Sequence, residues 1–181
     1  MLSEGDPRGG TPILIFASVG TFHAGFDDLV ASLDVAASRL RLRGLAQIGH
    51  SRVIPRHLNH VRFLDQEAMQ AAIASADIIV CHGGMGIVGE ALRAGKRIVA
   101  VPRTGPTSAG NPANDQRAFL ERVATRFAIQ VAETPAEIER GLSHLLDQPP
   151  SVMSAPVLAV SNVPRLIGSF LASSAEPIMR I

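Results

Sequence analysis

Ile78-Ile79-Val80-Cys81-His82-Gly83-Gly84-Met85-Gly86-Ile87-Val88-Gly89-Glu90-Ala91-Leu92 is the stretch on which the fold turns. Its four leading apolar residues, Ile78 to Cys81, read as a short, fully buried strand. The chain then turns through His82, Gly83, Gly84 and Gly86 and resumes with helical spacing that carries Glu90. A strand feeding a glycine turn and then a helix sets free backbone N–H groups, with the positive end of a helix dipole, at the strand's carboxyl end. A nucleotide diphosphate fits there, and Glu90, four residues after Gly86, is placed to accept hydrogen bonds from a ribose diol. Glycines between a strand and a helix also serve tight packing alone, so the remaining sequence has to decide.

Outward from this unit, strands and helical stretches alternate. Pro12 to Ser18 reads as a buried first strand, followed by the loop Val19-Gly20-Thr21-Phe22-His23-Ala24-Gly25. Phe26 to Arg41 is helical, with Phe26, Leu29, Val30, Leu33 and Ala37 on one face, and Asp27 and Asp28 suit the dipole at its start. Short strands are expected at Leu45–Ile48 and Val61–Leu64, then an Ala-rich helix over Gln66–Ser75 and a fourth strand over Asp77–Cys81. The helix from Gly84 to Ala94 ends at Gly95, a suitable C-cap. A fifth strand, Arg97–Val101, leads into a loop rich in Gly, Pro, Thr and Ser and a helix from about Ala113 to Thr125. Phe127–Val131 is the sixth strand, and Thr134 with Glu137 opens a helix as a capping box. Beyond Pro149-Pro150 a further helix is expected over Asn162–Leu171. Continuous apolar strands alternating with helices imply α/β architecture: a Rossmann-like parallel sheet with helices on both faces and strand order 3-2-1-4-5-6.

Composition narrows the function. The 181 residues form one domain by length. The expected organisation is a flexible tail (1–11), a nucleotide-sugar-binding domain (12–150) and an apolar C-terminal segment (151–181) that is a candidate for partner docking. Apolar residues make up 46%, and mean hydropathy is +0.22, which suggests that a partner covers part of the surface. A formal net charge of +1, with no Trp or Tyr, argues against nucleic acid. The single Cys81 excludes an internal disulfide and suits a reducing compartment as an inert core thiol. No apolar run approaches the roughly 20 residues of a membrane span, so a cytoplasmic chain held at the membrane by a partner is expected.

In the expected strand order the loops after strands 1 and 4 face each other across one crevice, and the loop after strand 5 opens beside them. Gly20 and Thr21 supply donors to a phosphate, or the glycine serves only the turn. His82 donates to a phosphate or sugar oxygen, or is satisfied by neighbouring backbone. Asp115 and Gln116 match sugar hydroxyls, or are ordinary polarity at a helix start. Arg103 meets a phosphate or carboxylate, or is a solvated loop arginine. His50, Arg52, Arg56, His57 and His60 lack the pairing of a metal site and read as loop surface, with lining of the cleft or contact with anionic lipid as the alternatives. Neither a Walker motif nor a Gly-x-Ser-x-Gly elbow is present, and the first loop lacks the dinucleotide fingerprint.

Taken in order, Ser18-Val19-Gly20-Thr21, His82-Gly83-Gly84-Met85-Gly86 with Glu90, Gly95 to Arg103, and Asn114-Asp115-Gln116 resemble the C-terminal, donor-binding domain of family 28 glycosyltransferases over about Pro12 to Leu146. Those enzymes have two-domain GT-B architecture. The resemblance implies that the glycine loops hold a diphosphate, Glu90 the ribose, and Asp115 with Gln116 the donor sugar. It further implies inverting transfer from a UDP-sugar to a lipid-linked acceptor, with no cofactor and no metal. A chain of this length looks like the soluble subunits that work with a membrane-attached, acceptor-binding subunit in exopolysaccharide glucuronosyl transfer and N-glycan assembly. The catalytic base is then expected on the partner, with His23 the candidate in this chain, and Arg103 suits a uronic acid donor. Ile87 departs from the Ser or Thr that many relatives carry after the last glycine of this loop. That departure keeps a non-catalytic, nucleotide-sugar-binding accessory subunit in play. A sugar-nucleotide epimerase shares the architecture but is expected to need a second domain.

Overall fold

The computed structural model describes residues 13–103 and 116–148. Four longer strands and two short, more polar edge strands assemble into a single six-stranded sheet. The strands are β1 (Leu14–Ser18), β2 (Arg43–Gln47), β3 (Asn59–Val61), β4 (Ile78–His82), β5 (Arg97–Val101) and β6 (Gln130–Val131). Five helices connect or follow them: α1 (Asp27–Leu40), α2 (Gln66–Ser75), α3 (Met85–Arg93), α4 (Arg117–Ala124) and α5 (Pro135–Asp147). Every pairing is parallel and the order is β3-β2-β1-β4-β5-β6, as the alternation of elements predicts.

The central strands are oily on both faces because both faces are covered. Ile15, Ala17, Ile78, Val80, Val99 and Val101 point into one cluster with Leu29, Val30 and Leu33 of α1 and Ile138, Leu142 and Leu145 of α5. Phe16, Ile79, Cys81, Ile98 and Ala100 point the other way, towards Ile73 of α2, Val88 and Leu92 of α3, and Leu120 of α4. Cys81 is fully buried, and desolvation pushes its thiol up to about 12, so it is an inert core residue.

Helix ends show how the two edges of the sheet divide their work. Lys96 Nζ donates to the carbonyls of Ala74 and Ala76 at the end of α2, and Arg97 donates to Leu145 and Gln148 at the end of α5. These cations sit at the amino edge, where they satisfy last-turn carbonyls and oppose the negative dipole ends. The opposite, carboxyl edge receives helix starts. There α5 opens with the expected capping box, Thr134 accepting from Glu137 N and Glu137 from Thr134 N.

Several boundaries differ from expectation: β2 runs Arg43–Gln47 instead of Leu45–Ile48, and most other ends move by a residue or two. β3 starts and ends earlier than Val61–Leu64, because Phe63 is exposed and Leu64 turns into the second cluster beneath α2. The sixth strand shrinks to two residues: Phe127 N bonds the Val123 carbonyl and so belongs to the end of α4. α4 itself begins at Arg117. The expected tail, the 151–181 segment and the Asn162–Leu171 helix lie outside the described residues.

Candidate functional site

From β1 the chain crosses to β2, and from β4 it crosses the other way to β5, so the two loops part above neighbouring strands. A crevice at the carboxyl edge is the consequence, and in such sheets that is where ligands bind. Gly20 stands on one side of it, Gly84 and the start of α3 on the other.

The His82 ring lies between them. A Cβ on Gly20 would fall 2.6 Å from its Cε1, and a Cβ on Gly84 would fall 2.4 Å from its Nε2. Gly20 also has φ +75°, a conformation that costs any other residue strain. The ring's Nδ1 is 3.3 Å from the Ser18 carbonyl. Burial, aided by the Arg103 charge, lowers the His82 pKa, while the Ser18 carbonyl raises it. A neutral ring that donates from Nδ1 to Ser18 presents Nε2 as an acceptor. That suits a ligand hydroxyl better than a phosphate oxygen.

The glycine loop spends two of its amides internally. Gly83 N–H bonds the Val101 carbonyl at 3.0 Å, and Gly84 N–H bonds the His82 carbonyl at 2.8 Å. Gly83 is a packing glycine: a Cβ there would meet Leu120 and Gln116. The amides left for a ligand are those of Met85, Gly86 and Ile87, in the first turn of α3, whose N-cap Gly84 provides no side-chain bond. Gly86 faces open space. Ile87 is buried in the second core cluster, so the residue type at 87 is set by packing. Glu90, half-buried, lines a groove of about 280 Å³ between α2 and α3 with Gln70, Ile73, Arg93 and Ala94.

Arg103 is not a solvated loop arginine. It is 7% exposed, with Nη2 3.0 Å from the Val19 carbonyl and Nη1 bonded to the Gly25 carbonyl. Its guanidinium lies 4.8 Å from the Phe22 ring centre and 4.6 Å from that of Phe26. Carbonyl dipoles and two π faces hold this cation; no carboxylate among the described residues pairs with it. Desolvation lowers its pKa from the usual arginine value, leaving it charged. The side chain thereby clamps the whole loop from Val19 to Phe26 onto the end of β5. Its backbone exchanges bonds with Gln116: Arg103 N donates to Gln116 Oε1 at 3.1 Å, and Gln116 N to the Arg103 carbonyl at 3.4 Å. Gln116 thus stands beside Gly83, while Asp115 lies outside the described residues. Thr21 and His23 are exposed on the loop, the His23 ring against Phe22 at 4.4 Å.

A second layer escaped the sequence reading. Ser51 is buried and its Oγ accepts from Phe26 N, which fixes the start of α1. Asp27 Oδ1 takes the N–H groups of Arg52 and Val53, and Asp34 Oδ1 those of Arg56 and His57. Arg62 donates to the carbonyls of Gly49 and Ser51. Together they staple the loop from Gly49 to Leu58 along α1. Its sequence signal is a pair of acids, Asp27 and Asp34, on a helix beside a long loop, and a first-turn Asp27 equally suits the helix dipole. Gln47 Oε1 is buried at the end of β2 with no partner among the described residues, an acceptor that a bound water or ligand donor would satisfy. The three histidines separate: His57 pairs with Asp34, His50 packs on Phe63, and His60 stands on β3.

Comparison with known proteins agrees with this architecture. The glycosyltransferase family 28 C-terminal domain matches residues 24–162. Among solved structures, MurG from Acinetobacter baumannii superposes with a TM-score of 0.65 at 21% identity, over 90% of this chain and 50% of that one. The calicheamicin glycosyltransferase CalG4 gives 0.64 at 17%, over 95% and 46%. UDP-GlcNAc 2-epimerase from Methanocaldococcus jannaschii, in complex with UDP-GlcNAc and UDP, gives 0.63 at 8%, over 89% and 45%. At these identities the likeness is one of fold, and the chain spans half or less of each neighbour. No curated protein matches. With a family match over most of its length and the sheet of a GT-B C-terminal domain, the chain belongs to the glycosyltransferase family 28 C-terminal domain family.

Proposed function

We propose that this chain is the donor-binding part of an inverting glycosyltransferase that takes a sugar from a UDP-sugar. Glucuronic acid rests on the resemblance alone, since Arg103 is spent on the loop carbonyls and is not open to a donor carboxylate. The lipid-linked acceptor and the base would be supplied by a membrane-attached partner. The observation that carries the reading is the meeting of the Gly20 loop, the uncapped start of α3 and the His82 ring at the β1/β4 switch point. In the reaction an acceptor hydroxyl attacks the anomeric carbon, its proton passes to the base, and the sugar–diphosphate bond breaks. The leaving diphosphate gains negative charge, and first-turn amides of α3, with the buried Arg103 charge beneath, are fixed donors and dipoles that stabilise it without reorganising. His82 Nε2 is assigned to a ribose or sugar hydroxyl, Glu90 to the ribose diol, and Gln116 with Asp115 to the donor sugar. His23, exposed at the mouth, stays the in-chain candidate for the base.

Calorimetric titration of UDP and UDP-glucuronate into the chain tests the site. Saturable binding is expected, weakened at least tenfold, about 1.4 kcal/mol, in Glu90→Ala. Unchanged affinity in that variant would remove Glu90 from the ribose. Tighter UDP-glucuronate than UDP-glucose binding would support the uronic acid. In a complex reconstituted with the partner, Glu90→Ala should cost at least tenfold in transfer rate; intact activity would favour the accessory-subunit reading.

Gly86→Ala separates packing from ligand contact. The added Cβ meets nothing in the free protein, and replacing a helical glycine should stabilise by about 0.5–1 kcal/mol. The same methyl stands where a diphosphate would approach the α3 amides. A variant that melts higher and binds UDP several-fold more weakly is expected. One that melts higher and binds UDP equally well would move the diphosphate away from α3.

A further inference from the structure

Residues 41 to 64 contain five arginines, three histidines and no acid. The whole chain carries only +1, so the rest is acidic and the positive charge is gathered on this segment. The fold sets part of it on the carboxyl edge of β2 and β3, the rim that also bears the crevice. Arg52 projects there with 95% of its side chain exposed, its contact to Asp27 Oδ2 at 3.9 Å being long and solvated. Arg56 and His57 follow on the flank of α1, both exposed. Large apolar side chains stand among these cations: Ile54 is 44% exposed and Phe63 47%, with the His50 ring edge-on to Phe63 at 5.0 Å.

Such residues on a floppy loop would be an ordinary solvated surface. Here the loop is held rigid from beneath, by Asp27, Asp34 and Arg62 acting on its backbone. The nearby acids Asp27, Asp34 and Asp65 each give a carboxylate oxygen to backbone N–H groups. The backbone that carries the exposed cations and the two apolar side chains is therefore fixed, and a partner has only their side chains left to order. Among the described residues no helix is long and apolar enough to cross a membrane, so any lipid contact made by them is a surface contact.

We infer that this rim is a docking surface for an anionic lipid bilayer, with Arg52 and Arg56 lying against the headgroups and Ile54 and Phe63 dipping to the boundary between headgroups and acyl chains. Basic side chains near an anionic leaflet attract it additively, and exposed apolar residues between them add burial. Because the rim and the crevice share one edge of the sheet, docking would turn the crevice mouth towards the bilayer. The inference goes beyond the proposed function and does not depend on donor binding.

The test is cosedimentation of the full chain with vesicles of equal parts phosphatidylcholine and phosphatidylglycerol, and with vesicles of phosphatidylcholine alone. Expected is binding to the anionic vesicles only, weakened by added salt. Each of Arg52→Gln and Arg56→Gln should lower the partition about fivefold, and Ile54→Ser severalfold. Thermal melts confirm that the variants fold, and UDP titration reports the crevice separately. Equal binding to neutral vesicles, no binding to anionic ones, or binding that the folded variants leave unchanged would overturn the proposal. A variant that loses vesicles while keeping UDP leaves the donor site untouched, and loss of UDP in the Glu90 variant says nothing against the rim.

Discussion

Arg103→Ala should lower the melting temperature by roughly 6–12 °C, the largest effect expected from any single truncation around the crevice. The substitution strips the partners from two buried carbonyls, those of Val19 and Gly25, and removes the cation packed against Phe22 and Phe26. Each carbonyl left unsatisfied costs about 1–3 kcal/mol, and the total is taken as about 3 kcal/mol. A domain of this size shifts about 2–4 °C per kcal/mol. Arg103→Lys keeps a charge but cannot fork to two carbonyls or stack as a plane, so it should recover only part of the loss. Thermal unfolding followed by circular dichroism decides: a shift below about 2 °C for the alanine variant would mean that the guanidinium does not hold the loop. UDP affinity should fall in parallel, since the Gly20 side of the crevice rests on that clamp.

The second large effect is expected on binding rather than on folding. Gly84→Ala puts a methyl where the His82 Nε2 now stands, 2.4 Å away, at a backbone φ of −73° that alanine accepts. The ring must swing out, and UDP affinity should drop at least tenfold while the melting temperature changes little. Gly20→Ala should show the same binding loss with an added stability penalty of about 1–2 kcal/mol, because its φ is +75°. Calorimetry and melts on both variants separate the two causes. Full affinity in Gly84→Ala would show that the ring's position between the loops is immaterial to the ligand.

Much of this was legible in the chain because it is local. The helix Gln66–Ser75 and the strand Arg97–Val101 have the bounds that periodicity gives, and the Thr134–Glu137 box announces its own helix. Strand order followed from alternation and the parallel-sheet rule. The site was legible as types of residue at loop positions, and its wiring was not. Arg103 meets carbonyls 78 and 84 residues away, contacts that no window along the sequence contains. The Gly83 and Gly84 amides read as free donors, yet one closes onto β5 and the other onto His82. Val61–Leu64 reads as a strand because Val61, Phe63 and Leu64 are apolar. Only the neighbouring β2 fixes where pairing stops, and it leaves Phe63 in solvent.

The sheet ends in a three-residue strand on one side and a two-residue strand on the other. Unpaired backbone at a sheet margin is a template on which another chain can add a strand, and the length of that template sets how far such addition can run. Two or three residues give it almost nothing to copy. Among the described residues, a second copy or a companion protein therefore finds little strand to extend, and side-chain contacts on helical faces or loops are favoured. Intermolecular β-pairing, with the aggregation it brings, is disfavoured at both margins of the described sheet.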